Sequence, residues 1–174
     1  MAFKLIKSET LLTGRVFTIR RDLVKTPDGR ETKFDIIEHG GSVLIVPIDH
    51  DGNLLFVRQY RHAAGIDLLE LPAGTLDEGE EPDVCAAREL REETGYAADR
   101  LDKAGQFYLA PGYSTEFMHV YIARDLRLDP LQADADEFLS LETIPLARAI
   151  EMAERGEIPD AKSLAGLFLA RPYL

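Results

Sequence analysis

The chain has 174 residues, of which 45% are hydrophobic, and its formal net charge at pH 7 is -11. This length and apolar content are enough for one domain with a full core, and the negative charge argues against nonspecific binding to nucleic acid or to an anionic membrane. No apolar run approaches a membrane span, and the first residues lack the apolar core of a signal peptide. We therefore expect one cytoplasmic domain over residues 1–174, with no nucleic-acid or membrane partner.

Strands are predicted before the middle of the chain, where apolar residues alternate and turn residues mark reversals. A first hairpin is predicted across residues 14–38, with its turn at Pro27-Asp28-Gly29. A second hairpin is predicted from strands 42–48 and 53–61, joined by Asp51-Gly52. A short strand over residues 68–71 then leads into a turn at Pro72-Ala73-Gly74.

A helix is predicted from Pro82, which suits a first helical turn, to the residue before Gly95, which suits a C-terminal cap. At about 100° per residue, Glu89, Glu92 and Glu93 fall on one arc of this helix and its apolar residues on another. Glu89 and Glu93 repel each other at i and i+4, and glutamates late in a helix oppose its dipole. A divalent cation would reverse both penalties, and Mg²⁺ fits best because it takes carboxylate and carbonyl oxygens. The alternative for three glutamates alone is a solvated charged face.

Two other residues of this helix carry functional groups. Arg88 can pair with Glu92 at i+4 or hold the turn around Gly74. Cys85 is the single cysteine of the chain, so no internal disulfide can form, which is consistent with a reducing compartment. We predict that its thiol is packed and does not act as a nucleophile.

The second half of the chain is predicted to hold two strands and two helices. The strands cover residues 106–110 and 117–123, and the helices cover residues 145–155 and 161–170. Asp160 is predicted to cap the last helix. Strands mixed with one central and two later helices imply a layered α/β or α+β domain.

The segment from Gly74 to Tyr96 resembles the Nudix box, G-x5-E-x7-R-E-U-x-E-E-x-G-U, in which U is a bulky apolar residue. The matching residues are Gly74, Glu80, Arg88, Glu89, Leu90, Glu92, Glu93 and Gly95. Only the last position departs, because Tyr96 replaces an aliphatic residue. The chain is identified as a member of the Nudix hydrolase family, which implies an α/β/α sandwich on a mixed sheet, with the N-terminal β-hairpin as an extension.

The resemblance also implies a ligand set for the metal. The Ala73 carbonyl, Glu89 and Glu93 would bind Mg²⁺, for which Mn²⁺ is a substitute. Glu92 would share a second ion or orient the attacking water. The number of ions and the phosphorus that is attacked stay open.

The remaining box residues and the catalytic base are inferred in the same way. Arg88 and Glu80 would stabilise the geometry of the loop and the helix. The base would come from a loop outside the box, and we weigh Glu116 and Glu137 equally. The acidic cluster that contains Glu137 comprises Asp134, Asp136 and Glu137.

The residues that flank the box are similar to those of relatives that hydrolyse ADP-ribose and other nucleoside diphosphate sugars. Those relatives carry a proline at the position of Pro111, so Pro111 and Gly112 would belong to a substrate loop. Arg58 and Arg61 would contact the substrate, because a forked guanidinium suits phosphate oxygens. A half-exposed strand would also produce these arginines without a ligand. Glu70 would contact either the ligand or a structural arginine.

The expected activity is Mg²⁺-dependent hydrolysis of ADP-ribose to AMP and ribose 5-phosphate. Alternatives are another nucleoside diphosphate sugar, such as GDP-mannose or ADP-glucose, and a nucleotide-sensing module without catalysis. In this subgroup the N-terminal hairpin helps to build a homodimer. We therefore expect residues 1–40 to make dimer contacts and residues 41–174 to form the catalytic core, although a hairpin within one subunit is the alternative.

Overall fold

The protein is described by a computed structural model that covers residues 2–132 and 138–173. These residues form two compact units. The first unit comprises Met1–Gly41 and Phe107–Met118, and the second comprises Ser42–Gln106 and His119–Leu174. No helix within the described ranges has the length and apolar character needed to cross a membrane.

The first unit contains an antiparallel sheet of three strands in the order β1-β2-β3. The strands are β1 (Lys4–Thr13), β2 (Thr18–Lys25) and β3 (Glu31–Glu38). The predicted hairpin is confirmed as β2 and β3, which are paired from Thr18 with Glu38 to Lys25 with Glu31. Gly29 has φ 93° in the connecting turn, a left-handed conformation that glycine adopts without strain.

Strand β1 was not predicted, and the reason lies in its two β-bulges. Its register against β2 shifts between Leu5 and Lys7 and again between Thr10 and Leu12. A bulge inserts an extra residue, so the apolar side chains come in adjacent pairs and do not alternate. The strand is exposed along its whole length.

The segment 107–118 of the first unit lies beside the end of β3. The Ile37 N–H donates to the Tyr113 carbonyl at 2.8 Å, and the Thr115 N–H donates to the Ile37 carbonyl at 2.9 Å. The Thr115 hydroxyl oxygen also accepts from the His39 N–H at 2.9 Å. These bonds fix the backbone of the segment that carries Pro111 and Glu116.

Within the described residues, the second unit contains two sheets and three α-helices. Its strands are β4 (Ser42–Pro47), β5 (Asn53–Arg61), β6 (Ile66–Glu70), β7 (Ala73–Thr75), β8 (Tyr96–Tyr108), β9 (Phe117–Leu128) and β10 (Leu139–Pro145), of which β8 and β9 include residues of the first unit. Its helices are α1 (Pro82–Thr94), α2 (Leu146–Glu154) and α3 (Ala161–Ala170). The strand orders are β7-β4-β9-β8 and β10-β5-β6.

The helix predictions are confirmed, and Asp160 caps α3 by accepting from the Ser163 N–H at 3.0 Å. The predicted strands are all present, but several begin or end at other residues than predicted. The predicted turn at residues 72–74 is partly wrong, because β7 begins at Ala73 and pairs with β4. Strand β10 was not predicted, since Ile144 is its one buried residue and it carries little hydrophobic pattern.

The predicted second hairpin is wrong as a pairing, although both strands and the turn are present. Strands β4 and β5 lie in different sheets, and one bridge between Ile48 and Leu54 connects them. All residues of β4 are buried, and so are Leu54–Val57 of β5. Burial on both faces is typical of a strand inside a sheet, and β5 pairs with β6 along one edge and with β10 along the other.

Helices pack on both faces of β4. Val43 and Ile45 belong to a buried cluster with Cys85, Ala86 and Leu90 of α1. Leu44, which lies between Val43 and Ile45 in the sequence, faces the opposite side of the sheet. A Cβ added at Gly166 of α3 would lie 2.6 Å from Leu44 Cδ2, so glycine permits this close approach. The α/β/α layering expected from the resemblance is confirmed at this strand.

Candidate active site

The site is built where β7 meets α1. The Glu89 carboxylate lies directly over the backbone of Gly74, in space that a side chain at residue 74 would occupy. The Ala73 N–H donates to Glu93 Oε2 at 3.1 Å. Glu89 and Glu93 are both buried, each with 7% of its surface exposed. The glycine therefore lets two carboxylates of one helix lie against the strand.

Arg88 connects three of the box carboxylates. Its Nε and Nη2 donate to Glu80 at 3.0 and 2.9 Å, and its Nη1 donates to Glu89 at 2.7 Å and to Glu92 at 2.8 Å. The Nη2 also donates to the Thr75 carbonyl at 3.3 Å. Arg88 thus pairs with Glu92, as predicted, and it also bonds to the Thr75 carbonyl next to Gly74, at a position that is the end of β7 and not a turn.

The hydrogen bonds between Arg88 and Glu80 have electrostatic consequences. They hold the pKa of Glu80 at about 2, well below its ordinary value of 4.5. The same bonds, with the nearby charge of Glu89, raise the pKa of Arg88. Glu80 is therefore an anion at any physiological pH and orients Arg88 from the loop before α1.

The donor chemistry of this region fits a divalent cation. Glu89, Glu92, Glu93 and the Ala73 carbonyl are hard oxygen donors of the kind that Mg²⁺ and Mn²⁺ take. Within residues 2–132 and 138–173, no three carboxylate, imidazole or thiol side chains already converge into a metal cage. Arg88 pairs with Glu80, Glu89 and Glu92, so its single charge offsets only part of their negative charge.

Cys85 lies on α1, within the box, and is fully buried. Its thiol donates to the Thr75 carbonyl at 3.6 Å, and its sulfur accepts from Arg88 Nη2 at 3.4 Å. Burial raises the pKa of the thiol, and the charges of Glu80 and Glu89 raise it further. The prediction of a packed thiol is confirmed, and its raised pKa is consistent with the prediction that it does not act as a nucleophile.

Arg61 and Glu70 form a bidentate ion pair. Arg61 Nε and Nη2 donate to the two Glu70 oxygens at 2.8 and 2.6 Å. The hydrogen bond to Glu70 is the main cause that raises the pKa of Arg61, and the charge of Glu93 adds to it, so Arg61 lies within electrostatic range of α1. Glu70 thus contacts a structural arginine, which was one of its two predicted roles.

Arg58 lies on the opposite face of β5 from Arg61, since the two residues are three apart on a regular strand. Its Nε donates to Glu142 Oε1 of β10 at 2.5 Å. Arg58 thus has an anionic partner on a neighbouring strand.

Three further predicted site residues belong to the first unit. Pro111 and Gly112 are exposed, and Glu116 is half-buried, in the segment of the first unit described above. The Glu116 N–H donates to the Ser114 hydroxyl at 3.1 Å, and its carbonyl accepts from the Leu109 N–H at 3.2 Å. The predicted acidic cluster Asp134, Asp136 and Glu137 lies outside the described residues.

Two features of the structure were not anticipated from the sequence. The first unit contains an open cavity of about 410 Å³, lined by residues 14–18, 38–40 and Thr115. In the second unit, Lys162 and Asp160 join the pair of Arg61 and Glu70. The signal for Lys162 was weak, because a lysine in the first turn of a helix is common on protein surfaces.

Comparisons with known proteins agree with this geometry. A family model described as the NUDIX domain matches residues 38–167. An ADP-ribose pyrophosphatase of Mycobacterium tuberculosis is 43% identical over 168 residues, covering 95% of this chain and 81% of the relative. An ADP-ribose pyrophosphatase of Bacillus subtilis is 36% identical over 162 residues, covering 92% and 88%.

A solved structure described as an ADP compounds hydrolase has the same fold. It superposes with a TM-score of 0.88 and 28% sequence identity, covering 100% of this chain and 95% of the solved one. The chain belongs to the NUDIX family. Nudix hydrolases generally use divalent metal ions.

Proposed function

We propose that this protein is a Mg²⁺-dependent pyrophosphohydrolase that cleaves ADP-ribose to AMP and ribose 5-phosphate. The observation that carries the proposal is the position of the Glu89 carboxylate over the backbone of Gly74, together with the hydrogen bond from the Ala73 N–H to Glu93, which places two carboxylates of α1 against β7. The choice of ADP-ribose is supported by the relatives described as ADP-ribose pyrophosphatases, which are similar over most of this chain.

A diphosphate resists hydrolysis because its negative oxygens repel a nucleophile, and this chain is itself strongly negative. Glu89, Glu93, Glu92 and the Ala73 carbonyl would hold the cation. Mg²⁺ bound there would neutralise charge on the diphosphate and lower the pKa of an attacking water. Mn²⁺ takes the same donors and would substitute.

The protein's own residues position the reactants. Arg61, anchored by Glu70, binds oxygens of the diphosphate with the part of its guanidinium that Glu70 does not use. Arg58 is the weaker candidate for this role, since its guanidinium is already paired with Glu142. Glu92 is more exposed than Glu89 and Glu93, and it orients the attacking water or shares a second ion.

A carboxylate outside the box removes the proton of the attacking water. The two candidates are Glu116 and Glu137, which lie in different segments of the chain. Pro111 and Gly112 form a substrate loop next to Glu116. Arg88, oriented by Glu80, connects the end of β7 to α1, which keeps the oxygen donors in place.

We also propose a cytoplasmic homodimer in which residues 1–40 contribute to the dimer contact and residues 41–174 supply the catalytic core. The support is apolar surface on the first unit, where β1 is exposed along its whole length. Large apolar side chains with 40% or more of their surface exposed there are Phe3, Leu5, Ile6, Leu11, Leu12, Val16, Phe17, Phe34, Tyr108 and Tyr113. Light scattering on wild type and on Leu12→Glu tests this, with a dimer expected for wild type and a monomer for the variant; a wild-type monomer contradicts it.

The substrate is tested by comparing kcat/KM for ADP-ribose, ADP-glucose, GDP-mannose and NADH in the presence of Mg²⁺. The proposal predicts the highest value for ADP-ribose. A higher value for GDP-mannose would keep the chemistry and replace the substrate. Binding of ADP-ribose without release of AMP would instead identify a nucleotide-sensing module.

A further inference from the structure

A cluster of buried charges connects β6 with the first turn of α3. The Glu70 side chain is 2% exposed and accepts hydrogen bonds from Arg61 and from Lys162 Nζ. Lys162 Nζ also lies 3.0 Å from Asp160 Oδ2, and the Lys162 and Asp160 side chains are 13% and 12% exposed. Two cations thus face two anions, so the formal charge of the cluster is balanced.

The same turn of α3 fixes the backbone that follows Glu70. The Leu71 N–H donates to the Ser163 hydroxyl oxygen at 2.7 Å, and that hydroxyl donates to Asp160 Oδ2 at 2.5 Å. Ser163 is fully buried. The end of β6 is therefore held at two successive residues, by the side chain of Glu70 and by the main chain of Leu71.

Arg61 is the most exposed member of this cluster, and the charge of Glu93 on α1 acts on it. The pair with Glu70 uses the Nε and Nη2 edge of the guanidinium, which leaves Nη1 on the side away from Glu70. The Arg61 side chain is 40% exposed, whereas its partner is buried. A cation anchored along one edge and exposed along the other is suited to bind an anion.

We propose that Lys162 is a positioning residue that fixes the Glu70 carboxylate and, through it, directs Arg61 toward the diphosphate of the substrate. This inference rests on the proposed function, in which Arg61 binds that diphosphate. Lys162 and Arg61 both donate to Glu70 Oε2, so Lys162 offsets part of the negative charge of Glu70. The positive potential of Arg61 that acts on an incoming anion is therefore larger. Without Lys162, the full charge of Glu70 would act on Arg61 and weaken its attraction for the substrate.

The first test compares Lys162→Met, which keeps the length of the side chain and removes its charge, with Lys103→Met. Lys103 is exposed on β8 and is a matched control. We expect Lys162→Met to raise KM for ADP-ribose about tenfold while kcat stays within about twofold, since ground-state binding is what it weakens. Lys103→Met should match wild type. A wild-type KM in folded Lys162→Met would overturn the proposal.

The second test asks whether Lys162 acts through Arg61. KM is measured for Arg61→Gln, for Lys162→Met and for the double variant. Residues that act through a shared partner give non-additive effects. We expect Lys162→Met to raise KM no further in the Arg61→Gln background, whereas a full tenfold rise there would mean that Lys162 acts on the fold in general.

Two outcomes need a second readout. If Lys162→Met does not fold, Lys162→Gln, which is uncharged but can still donate to Glu70, must show the raised KM, and a normal KM overturns the proposal. If the wild-type protein does not cleave ADP-ribose, the proposed function has failed on its own. The same variants are then compared by calorimetry with inorganic pyrophosphate, where Lys162→Met must weaken binding and Lys103→Met must not.

Discussion

The carboxylate of Glu89 lies so close to the backbone of Gly74 that a Cβ added at Gly74 would be 1.8 Å from the Glu89 Cδ atom. A glycine is therefore needed at position 74, because the carboxylate of Glu89, a proposed metal ligand, occupies the space that a side chain would take. Because the overlap is with the end of a flexible side chain, an alanine at this position would displace the carboxylate and leave the backbone in place.

Gly74→Ala is therefore expected to fold normally, to require more Mg²⁺ for half-maximal activity, and to lose about a hundredfold in kcat/KM, the scale of a misplaced catalytic group. Gly52→Ala is a control with the opposite pattern. Gly52 has φ 80° and no atom near its added Cβ, so alanine there should cost about 1 kcal/mol of stability without changing activity. Equal Mg²⁺ dependence of Gly74→Ala and wild type would show that Glu89 does not bind the ion.

Glu92→Gln is expected to keep the fold and to lose about a hundredfold or more in kcat, because it removes one charge at nearly constant volume. Arg88 can still donate to the amide oxygen, so the melting temperature should change little. The exposed Glu78 provides a matched control as Glu78→Gln. An unchanged rate with normal metal dependence in Glu92→Gln would remove the role proposed for it.

Glu116→Gln and Glu137→Gln are expected to differ sharply in kcat. Only the residue that accepts the proton of the attacking water should show a large loss, about a hundredfold, because general bases contribute on that scale. The pH profile of kcat/KM identifies the same residue, since the acidic limb should vanish in that variant alone. Two equal and mild losses would mean that neither carboxylate is the base.

Glu70 predicts a dependence of stability on pH. Burial opposes its ionisation, but the hydrogen bonds and charges of Arg61 and Lys162 outweigh burial and hold the pKa of Glu70 below its ordinary value of 4.5. The unfolded chain therefore binds this proton first as the pH falls. The stabilisation from Glu70 is complete above about pH 4.5 and is lost as the pH falls through the lowered pKa of the folded state.

Urea unfolding of wild type and Glu70→Gln measures this contribution. At pH 7 the variant should be less stable by about 3 kcal/mol, the usual cost of breaking a buried ion pair. The difference should shrink as the pH falls below about 4.5. A difference that is the same at every pH would show that packing, and not charge, accounts for the effect of Glu70.

The parts of the site that could be predicted from the sequence are those set by local spacing. Glu89, Glu92 and Glu93 lie within one turn of a helix whose ends are marked by Pro82 and Gly95. Helical periodicity alone places these carboxylates together, and the structure agrees.

The parts that could not be predicted depend on contacts between distant residues. Lys162 meets Glu70 across a separation of 92 residues, and no local pattern encodes such a contact. Strand β5 pairs with β6 and β10 and not with β4. This pairing could not be predicted, because a strand that is buried on both faces has no alternation of apolar and polar residues from which its neighbours can be inferred. The pairs of apolar residues in β1 reflect bulges, which period-two analysis does not detect.

The central claim is that this site hydrolyses ADP-ribose with the help of a divalent cation. The most direct measurement is the quantity of AMP and ribose 5-phosphate released from ADP-ribose by the wild-type protein, with Mg²⁺ and with EDTA. We expect equal amounts of the two products with Mg²⁺ and none with EDTA. Failure to release AMP with Mg²⁺, or release that continues at the same rate in EDTA, would contradict it.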